Sequence, residues 1–153
     1  MVNVEMKLSP HFTLGELCKT SVNTQDGNIP GQEEIENLKR LCPWLEELRL
    51  RYNERYVFEE EPIVITSGYR SPEVNKCVGG AYSSNHLTGC AVDIRCVGVE
   101  QAIRYAAILL DTADEWKQDY DELLIERNRH GRYWVHFAVK PKDNRRKTMF
   151  LNG

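Results

Sequence analysis

The stretch Leu123-Leu-Ile-Glu-Arg-Asn-Arg-His-Gly-Arg-Tyr-Trp-Val-His-Phe-Ala-Val139 places a polar segment, residues 128–131, between two apolar runs. Apolar runs separated by a short turn that contains glycine predict a β-hairpin, with strands at residues 123–126 and 133–139. Because side chains alternate between the two faces of a strand, His136 shares a face with Trp134 and Ala138. The second strand therefore carries a single imidazole among apolar side chains.

Two more strands are predicted upstream of the hairpin. Residues 63–66, Ile-Val-Ile-Thr, form a short β-branched run, and residues 90–94, Cys-Ala-Val-Asp-Ile, alternate like a strand. In the second run Asp93 shares a face with Ala91, while Val92 and Ile94 occupy the other face. A carboxylate in such a strand is costly to bury unless it is paired or bound to a metal ion.

Helices are predicted around these strands. Thr13-Leu-Gly-Glu16 fits a capping box, and Ser71-Pro-Glu73 fits the N-cap and first turn of a short helix. An amphipathic helix with a kink or a restart at Pro43 is predicted by a stripe of residues at three- and four-residue spacing: Ile35, Leu38, Leu41, Leu45, Leu48 and Tyr52. A last helix over 99–110 carries Ile103, Ala106, Ala107 and Leu110 on its apolar side.

The order of elements predicts an α+β fold, with a small, largely antiparallel sheet flanked by helices and with residues 140–153 on the surface. The chain has 153 residues, 41% of them apolar, and a net charge of −3, which indicates one domain over 1–153 and disfavours a general nucleic-acid binder. No apolar run approaches the length of a membrane span. Five cysteines without a Cys-x-x-Cys pair predict reduced core residues.

The polar interruptions are the candidates for chemistry. His86 lies in a polar loop that leads into the strand of Asp93, and His136 lies in the hairpin. Two imidazoles and a carboxylate suit a catalytic zinc site, in which three protein ligands leave a fourth position for water. A strand histidine is, however, more often a hydrogen-bonded core residue, so spacing alone leaves both interpretations open.

A longer set of motifs resembles one family. The set is Thr66-Ser-Gly-Tyr-Arg-Ser-Pro72, Asn75, Val78-Gly-Gly-Ala81, Ser84-x-His86, Gly89-x-Ala91-x-Asp93-Ile94 and Trp134-Val-His136-Phe137. In order and spacing it is similar to the M15 zinc peptidases, which include D-alanyl-D-alanine carboxypeptidases and peptidoglycan peptidases of bacteria and phages. The resemblance runs from about Phe12 to Ala138 and is strongest to the small single-domain branch.

The resemblance implies zinc as cofactor, with His86, Asp93 and His136 as ligands. It implies that Arg70 is catalytic, holding the oxyanion or a substrate carboxylate, and that Ser84 and Asn75 lie near the substrate or fix their loops. The acid or histidine that many members place just before the last ligand is absent, since Tyr133 and Trp134 stand there. The small branch has a glutamate at the end of the preceding strand, which Glu126 matches as general base.

The sequence also allows alternatives to this interpretation. Glu126 could instead pair with Arg127 or Arg132, and His130 in the turn is a second candidate for the base. The function predicted is zinc-dependent hydrolysis of peptidoglycan peptides, and the alternative is a non-catalytic zinc-containing module that binds cell wall or belongs to a phage structure. We expect a monomer that binds neither nucleic acid nor membrane. The N-terminus does not resemble a signal peptide, so we expect synthesis in the bacterial cytoplasm and action at the wall after export or release.

Overall fold

A computed structural model describes residues 3–152 of the chain. The strands are β1 (Lys7–Ser9), β2 (Phe12–Thr13), β3 (Ile65–Ser67), β4 (Ala91–Arg95), β5 (Glu122–Arg127), β6 (Tyr133–Ala138) and β7 (Lys147–Asn152). The helices are α1 (Leu14–Leu17), α2 (Gln32–Tyr56), α3 (Pro72–Cys77) and α4 (Val99–Trp116), and a short 3₁₀ helix covers Asn85–Thr88. The α+β class predicted from the sequence is confirmed.

The main sheet is larger than predicted and is mixed. Its five strands lie in the order β3-β4-β6-β5-β7, while β1 and β2 form a separate small sheet. Four neighbouring strands are antiparallel, as expected, but β7 pairs in parallel with β5. The prediction of a small, largely antiparallel sheet is wrong because part of the segment expected to be only a surface tail adds a strand. That strand is exposed along its whole length, so its sequence lacks the apolar alternation that marks a half-buried strand.

The two faces of the main sheet differ in chemistry. One face carries apolar side chains that belong to the hydrophobic core: Val92, Ile94, Leu123, Val135 and Phe137. The helices α2 and α4 cover this face. Trp44 of α2 packs against Phe137, with ring centroids 5.3 Å apart. The opposite face carries polar side chains from β4, β5 and β6. The core thus fixes the orientation of the strands, and the alternation of side chains then fixes which residues the other face presents.

The long helix α2 continues through Pro43 as one element. Of the two predictions for this position, the restart of the helix is therefore wrong. Its stripe is buried as predicted from Leu38 to Tyr52. The buried face of α4 overlaps only in part with the one predicted. Ala106 is buried as predicted and Leu110 is partly buried, but Ile103 is 48% exposed. The other buried residues of the helix include Ala102, Tyr105 and Leu109. Ile103, Ala106, Ala107 and Leu110 instead line an apolar groove against β5 and β7. Both sides of α4 are apolar, and periodicity does not tell which one meets the sheet.

The local start signals are confirmed. Thr13 caps α1 through the predicted box with Glu16, and the Ser71 hydroxyl accepts a hydrogen bond from the amide of Val74 at the start of α3. The strand β3 is shorter than predicted and begins at Ile65. All five cysteines are free. Within residues 3–152, no helix has both the length and the apolar character of a membrane span.

Candidate functional site

Asp93 and His136 face each other on the polar face of the sheet. They are direct partners in the antiparallel pairing of β4 with β6, and both are buried. Asp93 Oδ1 lies 3.1 Å from His136 Nδ1. The core residues on either side, Val92 and Ile94 in β4 and Val135 and Phe137 in β6, turn the two polar side chains to the same face.

His86 reaches the same carboxylate from the 3₁₀ helix. The hydroxyl of Ser84 caps that helix by accepting a hydrogen bond from the His86 amide, at 3.2 Å. The residue is 2% exposed, and its ring Nδ1 lies 2.7 Å from the carbonyl oxygen of Gly68. Its Nε2 lies 3.3 Å from Asp93 Oδ1. The loop and the two strands therefore bring His86, Asp93 and His136 together, with one donor atom of each within 4.8 Å of the others.

A second carboxylate contacts the other nitrogen of the His136 ring. Glu122 Oε1, on β5, lies 2.8 Å from His136 Nε2. The same oxygen accepts a hydrogen bond from the Asn85 amide at 2.8 Å, and Arg145 lies 3.4 Å from the other oxygen. Sequence analysis missed Glu122. Strand alternation could have found it, because it shares a face with Glu126 and the hairpin places it opposite Ala138.

These contacts test whether the group fits a metal ion. The Nδ1 hydrogen of His86 goes to the Gly68 carbonyl, and the Nε2 hydrogen of His136 goes to Glu122. The remaining ring nitrogens then present lone pairs to the Asp93 oxygen, and such an arrangement requires a cation, either an added proton or a metal ion. Donor atoms around a tetrahedral zinc ion lie roughly 3.3 Å apart. Asp93 Oδ1 lies at a similar distance from His136 Nδ1 and from His86 Nε2, 3.1 and 3.3 Å. The donor set fits zinc.

The pKa values of Asp93 and His136 also indicate that the group favours a cation. Burial alone would raise the pKa of Asp93, but the neighbouring His86 and His136 outweigh it and hold that pKa well below its usual range. Burial alone would lower the pKa of His136, but the hydrogen bonds and charges of Asp93 and Glu122 outweigh it and raise the pKa to about 10. The site as built is therefore an anionic pocket that favours positive charge.

Arg70 lies against the same carboxylate. One guanidinium nitrogen is 3.4 Å from Asp93 Oδ2, and the other two donate to the Ser67 hydroxyl and the Asn75 side-chain oxygen at 3.2 and 3.3 Å. The side chain is 16% exposed. These contacts hold the planar guanidinium at the edge of the group.

The comparison with protein families agrees with this geometry. A family model described as Peptidase M15 matches residues 10–130, about four-fifths of the chain. The chain belongs to the M15 peptidase family. Among curated proteins, none matches it. Membership in the family supports a peptidase and thus a peptide substrate. The matched region ends before His136, but the pairing of β4 with β6 places His136 beside Asp93.

The remaining residues predicted for an M15 site have defined places. Glu126 lies on the same face of the sheet as His136, on the neighbouring strand, and its Oε2 accepts a hydrogen bond from the Trp134 indole at 2.7 Å. Burial, followed by the negative charge of Asp93, raises the pKa of Glu126. The pairing of Glu126 with Arg127 or Arg132 that the sequence left open is not among the ion pairs of residues 3–152. His130 is exposed in the turn beside Arg129.

Asn75 and Ser84 hold neighbouring parts of the site. The Asn75 amide donates to the Ala81 carbonyl at 3.0 Å while its oxygen accepts from Arg70. A side chain at position 80 would collide with Asn75, which explains the glycine there. Asn75 and Ser84 thus fix loops beside His86 and Asp93. Their contact with a substrate stays a prediction.

Proposed function

We propose that this M15 chain is a zinc peptidase that cleaves a peptide bond next to a D-amino acid in bacterial cell-wall peptides. The observation that carries the proposal is the convergence of one potential ligand atom each from His86, Asp93 and His136. The guanidinium of Arg70 and the carboxylate of Glu122 lie beside them. When bound, zinc would supply a Lewis acid for the attacking water and the scissile carbonyl.

Three residues of the chain would supply the remaining functions of the site. Glu126, ionised and with a raised pKa, would take the proton of the attacking water and pass it to the leaving amine. The guanidinium of Arg70 would stabilise the oxyanion that develops on the scissile carbonyl. Glu122 would keep His136 in the tautomer whose Nδ1 is free for a metal ion.

The experiment is to incubate the zinc-loaded protein with purified peptidoglycan fragments and to identify the products by mass. Loss of one terminal residue would indicate a carboxypeptidase, and an internal cut would indicate an endopeptidase. The matched control is the same protein treated with a chelator and then reloaded with zinc. Stoichiometric zinc without any cleaved fragment would reject the peptidase and favour the non-catalytic wall-binding module.

Exchange of Arg70 for lysine should lower kcat by a factor of about ten to a thousand, because an ammonium group cannot replace the planar fork that contacts Ser67, Asn75 and Asp93. Steady-state kinetics and zinc content would be measured together. Arg127→Lys, at the exposed end of β5, is the control and should leave kcat unchanged. Normal kcat with a raised KM would make Arg70 a substrate-binding residue.

A further inference from the structure

A cleft of about 320 Å³ opens directly beside Asp93 and is not used by the chemistry described above. It lies between β4, the end of β6 and the turn that joins β5 to β6. Its lining residues are Thr66, Asp93, Arg95, Cys96, Asn128, Arg132, Tyr133 and Trp134. The cleft thus joins one carboxylate of the proposed metal group to two arginines and two aromatic rings.

The strand register explains why Arg95 is available there. Arg95, Trp134 and Glu126 form one row across β4, β6 and β5, next to the row that contains Asp93 and His136. Trp134 stands between the arginine and the glutamate, and its indole N–H is donated to Glu126. Among the ion pairs of the part of the chain described, none involves Arg95 or Arg132, whereas Arg70 and Arg145 are both paired with carboxylates.

The second arginine is presented by a turn of fixed shape. The Asn128 side-chain oxygen accepts hydrogen bonds from the amides of His130 and Arg132, at 2.9 and 3.0 Å. The Asn128 amide in turn donates to the Arg132 carbonyl at 3.0 Å, and Gly131 has the positive φ that closes the turn. The backbone that carries Arg132 is therefore preorganised beside the cleft.

We infer that this cleft binds a carboxylate group of the substrate, through Arg95 and Arg132, and that these residues determine specificity. The inference rests on the proposed function and deepens it. Two unpaired guanidinium groups can each take a carboxylate as a bidentate partner, and the rings of Tyr133 and Trp134 supply the walls for the attached peptide. Arg95 and Asp93 are neighbours on the same face of β4, and such neighbours are about 7 Å apart. An extended peptide covers that distance with about two residues. The carboxylate recognised therefore lies within about two residues of the scissile bond.

The test uses cell-wall stem peptides that are identical except that one carboxyl group at a time is free or amidated. For the wild-type protein, amidation of one of these groups should lower kcat/KM about 10- to 100-fold, since hydrogen bonds to a charged group are lost. Arg95→Gln and Arg132→Gln should lose most of that preference and should cleave the amidated peptide at nearly the wild-type rate. Arg129→Gln, in the same turn but outside the cleft lining, should keep the preference.

Equal wild-type rates on every free and amidated pair would overturn the inference, as would variants that slow both peptides equally. Equilibrium binding of the same peptides to the Glu126→Gln protein separates this result from a failure of the proposed function. Binding that prefers the free carboxylate and depends on Arg95, without cleavage by the wild-type protein, would support the cleft and reject the peptidase. Binding without that preference would reject carboxylate recognition by the cleft and would leave the proposed peptidase activity unaffected.

Discussion

Exchange of His86 or His136 for alanine is expected to abolish stoichiometric zinc binding and, with it, peptide hydrolysis. In the proposed site each ring would supply one of three donors, and two donors do not hold a catalytic zinc ion tightly. Metal analysis after dialysis would measure the loss, and circular dichroism would show whether the fold is kept. Stoichiometric zinc in both variants would place the metal elsewhere.

Two further variants serve for comparison in the zinc-binding experiment. His11→Ala removes an exposed histidine that contacts Glu46, and zinc content should be unchanged. Glu122→Ala leaves all three donors but frees the ring of His136, so affinity for zinc should fall about 10- to 100-fold. Competition with a chelator would measure that affinity. An unaltered affinity would mean that Glu122 does not position His136.

Exchange of Glu126 for glutamine is expected to lower kcat by a factor of about 10² to 10⁴ while zinc binding stays normal. Glutamine keeps the size of the side chain and can accept the hydrogen bond of Trp134, but it cannot take a proton from water. Steady-state kinetics on the peptidoglycan fragments would measure the change. His130→Ala is the control for the second candidate base and should retain wild-type turnover.

The pH dependence of kcat/KM gives an independent check. A general base acts only when ionised, so wild-type activity should fall as pH decreases through the pKa of Glu126. Because burial raises that pKa, the fall should begin above the ordinary range of a glutamate. Glu126→Gln should lack this acidic limb. If it retains both its turnover and the limb, Glu126 is a structural acceptor for Trp134 and not the base.

Much of the fold is predictable because its signals are local. Caps such as Thr13 and Ser71, the stripe of α2 and the alternation of the hairpin each depend on residues within a few positions of one another. The parallel strand β7 is not predictable in this way. It is exposed, and what holds it is distant in sequence: its first amide bonds to the carbonyl of Asp121.

The residues of the site also differ in whether local sequence patterns predict them. His136 and Asp93 are recognisable because each interrupts an apolar strand, and their alternation places each of them on a face. Glu122 is recognisable only when the strand alternation is extended to it, and Arg145 is not recognisable, since a charged residue in a tail is ordinary. Their importance arises from strand register and from a contact between segments 23 residues apart, Arg145 to Glu122, which no local pattern encodes.

The direct pairing of Asp93 with His136 restricts how the length of this chain can change during evolution. Side chains alternate with a period of two, so one residue inserted into β4 or β6 ahead of the pair would rotate Asp93 or His136 into the core. The same shift would bring a core residue such as Val135 or Phe137 to the polar face. Insertions within these strands are tolerable only in pairs or with a bulge that absorbs the extra residue. Single-residue length differences among descendants should therefore accumulate in the loops, and the strand segments that carry Asp93 and His136 should keep a constant length.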